Sequence, residues 1–254
     1  MTKIGEIERR TQNRVVSFLG DLPAYTYLGN WQDAPRSSNI ETDILTDWLH
    51  SRGYKNEVVR KAVRQLTRTA ALGGARTLPE ANREVYDLLR YGVKVIPHAG
   101  AQTVTVSLVD WADPTANRFG VAQEVTVSGK ATKRPDIVVY LNGIAVAVLE
   151  LKRASVSVTE GIRQSLSNQT PDFIEPFFTT VQTVLAGNET EGVRYGVIST
   201  PEKYWLRWTE DRPDGEAATY PDSLLLDELY SLLRPERLLE MIHDFTVFDG
   251  GIRK

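Results

Sequence analysis

The stretch Arg134-Pro135-Asp136-Ile137-Val138-Val139-Tyr140-Leu141-Asn142-Gly143-Ile144-Ala145-Val146-Ala147-Val148-Leu149-Glu150-Leu151-Lys152 decides the fold. Two apolar runs flank Asn142-Gly143, a dipeptide favoured where a tight hairpin turn needs positive φ. Both runs are apolar on both faces, which is the pattern of central strands covered on each side. Three charged groups interrupt this pattern: Asp136 at the start of the first strand, and Glu150 and Lys152 near the end of the second. An unpaired charge in such a place is costly, so each needs a partner or a task.

The turn decides whether the three groups meet. Glu150 and Lys152 lie two apart on one strand and share a face, which by alternation also carries Val146 and Val148. A two-residue loop pairs Leu141 with Ile144 and places Asp136 opposite Leu149, on the other face. A three-residue loop ending at Gly143 pairs Tyr140 with Ile144. It sets Asp136 opposite Val148, on the face of Glu150. The expectation is therefore a three-residue loop, with glycine at its left-handed position, or a bulge with the same effect.

Two carboxylates and an amine converging at a strand end have a chemical use. Asp136 and Glu150 would hold Mg²⁺, which prefers oxygen ligands and keeps several waters. Lys152 would orient or activate a water and offset developing charge, and the product would be a hydrolysed phosphodiester. An ion pair closing the strand end would use the same residue types; the apolar hairpin around them favours the chemical reading.

Working outward, Gln164 falls on a helix expected over Val158 to Gln169, just after the lysine strand. An amide there could contact a phosphate or the attacking water, although a helical glutamine is by residue type usually a solvated one. Upstream, helices are expected over Glu6 to Leu19, from Ile40 to about Leu49, over Asn56 to Leu72 and over Pro79 to Tyr91, each followed by glycine. Extended segments follow at Val93 to His98, Thr103 to Trp111 and Phe119 to Val127. Downstream, Phe173 to Leu185 reads as a helix, Tyr195 to Ser199 and Tyr204 to Trp208 as a late strand pair, and Arg212 to Asp222 as a polar loop. Leu224 to Leu233 and Pro235 to Phe245 read as two short helices, the second with proline in its first turn. Asp249 to Lys254 reads as a linker.

Composition narrows the class. The chain has 254 residues, 41% hydrophobic and 25% charged, enough for a sizeable core without a staple. It has no cysteine, which excludes disulfides and thiolate-held metals. Its three histidines, His50, His98 and His243, share no ligand spacing. The formal net charge of −3 does not by itself announce a nucleic-acid binder, although only a groove facing phosphate needs to be positive. No apolar run is long enough to span a bilayer and no signal-peptide core is present, so the expected location is the cytoplasm, with no membrane partner.

The residues also resemble a known family. Asn142 to Lys152 resembles the "NGLPLVxxELK" segment of the R (restriction) subunit, HsdR, of type I restriction–modification enzymes. Pro135-Asp136-Ile137-Val138 resembles the aspartate strand before it. Asn82 to Val95, Asn117-Arg118-Phe119 with Gln123-Glu124, Tyr195 to Ser199, Arg234 to Leu239 and Phe245 to Phe248 extend the likeness from about Ile40 to the end.

The resemblance implies an N-terminal nuclease domain of the PD-(D/E)xK type: an α/β, restriction-endonuclease-like mixed central sheet flanked by helices, with extra N- and C-terminal helices. One endonuclease domain over 1–254 is expected, with an N-terminal extension to about 37, a core over about 38–210, and C-terminal helices and a linker beyond. Asp136 and Glu150 are implied to bind Mg²⁺, and Lys152 and Gln164 to be catalytic. Gln164 matches the glutamine of a Q-x-x-x-Y motif whose tyrosine position is Asn168 here. Glu41 matches an acidic position near the family's N-terminus. Implied partners are double-stranded DNA and the modification (M) and specificity (S) subunits. ATP would act only through motor domains; this chain has no Gly-x-x-x-x-Gly-Lys-Ser/Thr sequence and looks like a fragment preceding them. A stand-alone nuclease and a catalytically silent DNA- or subunit-docking domain are the competing readings.

Overall fold

Asn142 and Gly143 both take positive φ, 53° and 86°, in the computed structural model of the protein, which describes residues 3–210, 218–249 and 252–253. The turn is thus the two-residue kind, not the three-residue loop expected, and Leu141 pairs with Ile144. The register then slips: Tyr140 faces Ala145, but Val139 faces Ala147 and Ile137 faces Leu149. One extra residue, Val146, is accommodated on the second strand, the expected bulge. Continued by one residue, this register sets Asp136 opposite Glu150 rather than Val148. Gly143 is needed at its place, because a Cβ there would lie 2.7 Å from Glu41 O and 2.9 Å from Leu45 N.

The elements in chain order are α1 (Lys3–Asp21), β1 (Tyr25–Asn30), α2 (Thr42–Ser51), α3 (Asn56–Ala70), α4 (Leu78–Tyr91), β2 (Val93–Val95), β3 (Val104–Val106), β4 (Phe119–Gln123), β5 (Ile137–Leu141), β6 (Ile144–Leu151), α5 (Val158–Asn168), β7 (Thr183–Asn188), β8 (Gly192–Gly196), β9 (Leu206–Arg207), α6 (Leu224–Leu233), α7 (Pro235–His243), β10 (Phe248–Asp249) and β11 (Ile252–Arg253). The main sheet runs β1-β4-β5-β6-β7-β8-β9. β4, β5 and β6 are antiparallel; β1 joins β4 in parallel, and β6 joins β7 in parallel after the α5 crossover. This is a mixed α/β sheet flanked by helices, consistent with the restriction-endonuclease-like fold expected.

The two faces of the sheet bury two cores. Ile137, Val139, Leu141, Ile144, Val146, Ala147, Leu149 and Leu151 pack on one side with α1–α4, α6 and α7. Val138, Tyr140, Ala145 and Val148 pack on the other with α5 and the 174–181 segment. Val146 and Ala147 both fall on the first side, which is the bulge seen in packing. Alternation beyond it puts Glu150 and Lys152 with Val148, and Asp136 with Val138 and Tyr140, on the α5 side. Val146 therefore does not share the face of Glu150, contrary to the simple alternation.

Several expectations change. Phe173 to Leu185 is not a helix: Glu175–Thr179 makes a 3-10 turn and Thr183–Asn188 is β7, between β6 and β8. Pro176 and the β-branched Thr179, Thr180, Val181, Thr183 and Val184 suit a short turn and a strand better than a helix. The 103–111 stretch yields only β3, paired with β2 in a small separate ladder. The late strand pair is present but shifted, as β8 and β9. Residues 1–37 supply α1 and also β1, which pairs with β4 inside the main sheet. Residues 248–249 pair with 252–253, where a linker was expected. Of the polar loop at 212–222, residues 212–217 lie outside the described residues.

Candidate active site

The β5–β6 hairpin delivers Asp136, Glu150 and Lys152 to the end of the sheet opposite its turn. Glu150 is fully buried. Asp136 Oδ2 accepts from the Leu151 backbone N–H at 2.7 Å, which fixes it across the strand pair. Amide side chains supply further hydrogen bonds. Gln12, buried on α1, donates to Asp136 Oδ1 at 2.7 Å. Gln164 Nε2 donates to Glu150 Oε2 at 2.6 Å, and Asn168 Nδ2 to Glu150 Oε1 at 3.0 Å. Lys152 Nζ donates to Gln164 Oε1 at 2.6 Å. Gln164 thus stands between the ammonium group and the buried carboxylate.

Helix α5 can do this because its residues 164 and 168 lie one turn apart on one face. Gly161, on the preceding turn, permits the approach: a Cβ there would be 3.1 Å from Ala186 Cβ and 3.6 Å from Lys152 Cγ. Burial pushes the Glu150 carboxyl well above the usual carboxylate range, and the neighbouring Asp136 charge adds to this. Lys152 and the Asn168 amide pull the other way. The carboxamide oxygen of Asn168 is buried with no hydrogen-bond partner among the described residues.

The arrangement suits a small hard cation. Two carboxylates meet at the buried end of the hairpin, and Gln12, Gln164 and Asn168 each donate an amide hydrogen to one of them. No group of three or more histidine, cysteine or acidic residues poised to hold a metal occurs among the described residues. Asp136 and Glu150 are the residues that could hold such an ion, since one or two carboxylates suffice for Mg²⁺ when water and substrate supply the other oxygens.

The structure therefore brings together Asp136, Glu150, Lys152 and Gln164, and adds Asn168 and Gln12. Glu41 stands apart. It caps α2, its N–H bonds Gly143 O, and its carboxylate pairs with Arg36 at 3.2 Å. It lies at the turn end of the hairpin, about 20 Å of strand from the site. Gln12 carries no local signal of its role; only the tertiary fold brings α1 over Asp136.

The family model described as "Type I restriction enzyme R protein N terminus" matches residues 7–203, most of the chain. The chain belongs to this family. Among curated proteins of the family, the type I restriction enzyme HindI endonuclease subunit of Haemophilus influenzae is 30% identical over 98% of this chain. The putative type I restriction enzyme MjaVIIIP endonuclease subunit of Methanocaldococcus jannaschii is 23% identical over 81%. The chain spans 24% and 19% of the length of these relatives. The hairpin site and the α5 amides all fall inside the matched region. So does Gln12.

Proposed function

We propose that this region is the Mg²⁺-dependent nuclease domain of a type I restriction R subunit, hydrolysing DNA phosphodiesters. The observation that carries the reading is the meeting of Asp136 with the buried Glu150 across a bulged hairpin, with Lys152 tied to Glu150 through Gln164. Asp136 and Glu150 would hold Mg²⁺, which when bound supplies charge neutralisation at the phosphate and activation of water. Lys152 presents an ammonium group at the same rim, where it orients the attacking water and offsets charge developing on the phosphate. Gln164 holds that ammonium group in place and keeps its amide on the Glu150 carboxylate. Gln12 and Asn168 keep the two carboxylates in fixed orientations, so little reorganisation is needed on loading.

In the whole enzyme, this reading places cleavage after ATP-driven translocation by motor domains, with M and S subunits bringing the assembly to duplex DNA in the cytoplasm. No helix among the described residues is long and apolar enough to cross a membrane. Alone, the region is expected to cut weakly or not at all.

Calorimetric titration with Mg²⁺ tests the assignment. The unaltered protein should bind and Asp136→Ala should not. Equal binding by both would remove the proposed site; no binding by either, with duplex DNA still bound, would leave a docking domain.

A further inference from the structure

The chain enters Asp136 from an exposed arm. Beyond the ladder of β4 and β5, Glu124 N–H bonds Asp136 O and Val125 N–H bonds Pro135 O. Val127 and Lys133 exchange two further bonds, of 2.8 and 3.1 Å. The β4–β5 hairpin thus extends past the site, and residues 128–134 form its tip: Ser-Gly-Lys-Ala-Thr-Lys-Arg. Within these seven positions there are three cations and no acid, in a chain of net charge −3. Ser128, Gly129, Lys130, Ala131, Thr132 and Arg134 are exposed.

The arm is braced. Lys130 N–H bonds Phe173 O at 3.1 Å, and Lys133 Nζ sits 3.9 Å from the centre of the Phe173 ring. Gly129 packs so closely that a Cβ would lie 2.3 Å from Phe173 O. Phe173 follows α5, the helix that carries Gln164 and Asn168, so the arm and the site share one support.

We propose that this arm grips the phosphate backbone of duplex DNA beside the scissile phosphate, through the side chains of Lys130 and Lys133. The proposal rests on the nuclease reading and adds to it the surface that holds the substrate. Lys133 stands three residues before Asp136, within about 11 Å along an extended chain. That reach covers the phosphates next to the one at the site. The present partner of Lys130, Asp172, pairs at 2.5 Å with both side chains more than two-thirds exposed, the kind of ion pair that yields readily to a phosphate. The small residues Ser128, Gly129, Ala131 and Thr132 leave the tip open to close approach.

The test is fluorescence anisotropy of a labelled duplex over a salt series, with Ca²⁺ in place of Mg²⁺. Removing both lysines (Lys130→Ala with Lys133→Ala) should weaken binding and flatten the log–log salt slope by about 2, roughly 0.9 for each phosphate no longer neutralised. Exchanging both for arginine should keep the slope. Calorimetric Mg²⁺ binding should be unchanged in every variant, which separates this proposal from the site itself. An unaltered slope in the double alanine variant, or no duplex binding by the unaltered protein at low salt, would overturn the arm while Asp136-dependent Mg²⁺ binding still upheld the site. Loss of Mg²⁺ binding in the parent would instead bring down the nuclease reading.

Discussion

The amide of Gln12 donates to Asp136 Oδ1 at 2.7 Å across 124 positions of sequence, so the first helix holds a carboxylate that opens the central hairpin. Gln12 is buried while Arg9 and Arg10 nearby are exposed. Groups that orient metal-binding side chains in this way typically account for about 10- to 100-fold of metal affinity. Gln12→Ala should therefore keep the fold, seen by an unchanged far-ultraviolet circular dichroism spectrum, and weaken Mn²⁺ or Mg²⁺ binding by about tenfold. Equal affinity in the variant would show that the Leu151 N–H alone suffices to orient Asp136.

The buried Glu150 carboxylate opposes stability as long as no cation faces it. Burial and the Asp136 charge both disfavour its ionised form. Glu150→Gln removes that conflict. The introduced amide oxygen can still accept from Gln164, and once the Asn168 amide turns over, the new NH₂ can donate to the Asn168 oxygen, which is buried without a partner among the described residues. The variant should be more stable than the parent by about 1–2 kcal/mol in metal-free denaturant unfolding, the usual scale when a functional strain is relieved. It should also fail to bind Mg²⁺. A less stable variant would mean that the carboxylate is already compensated without metal.

How much of this is legible in the sequence follows from the range of the interactions. The hairpin, the place of its turn and the three charged groups can be read from one contiguous stretch, but the two-residue length of the loop cannot. Gln164 can be placed on a helix, while its role comes only from the family resemblance. The bulge is legible only by its effect: if the three charged groups are to meet, Asp136 must change face, but alternation does not say where the extra residue goes. β7 is hidden because Phe173 to Leu185 supports a helical apolar pattern, although the run of β-branched residues before Leu185 is the stronger signal. β1 escapes a local reading although Tyr25, Tyr27 and Leu28 suit a strand, since its place beside β4 is set by a non-local parallel pairing. Gln12 is beyond reach for the same reason.

Acid stability should depend on a cluster away from the site. Glu210 accepts from Arg234 at 2.7 and 3.0 Å and from Arg237 at 2.6 Å. Its carboxyl is lowered from 4.5 to about 2, first by the Arg234 hydrogen bonds, with Arg237 adding to them. A carboxyl depressed on folding contributes stability that is complete above its unfolded value and is lost as the pH falls through its folded one. The melting temperature should therefore drop as pH falls from about 4.5 to about 2, and Glu210→Gln should flatten that part of the profile. Parallel profiles for parent and variant would place the acid sensitivity elsewhere.

Gly143 gives the register its most direct test. It holds φ of 86°, and a side chain there would strike the backbone of Glu41 and Leu45, where α2 begins. The Glu41 N–H also bonds Gly143 O at 2.7 Å, so α2 and the turn cannot separate without breaking that bond. Gly143→Ala combines a left-handed backbone with an approach of 2.7 Å to a carbonyl oxygen. It should destabilise the protein by about 2 kcal/mol or more, read as a lower denaturant midpoint at constant m. If the hairpin relieves the clash by moving to another loop, the bulge near Val146 is no longer compensated, and Asp136 turns away from Glu150. Mg²⁺ affinity would then fall further than stability alone explains. A variant with the parent's midpoint and affinity would show that α2 yields to the turn, and that the register is held by the strands alone.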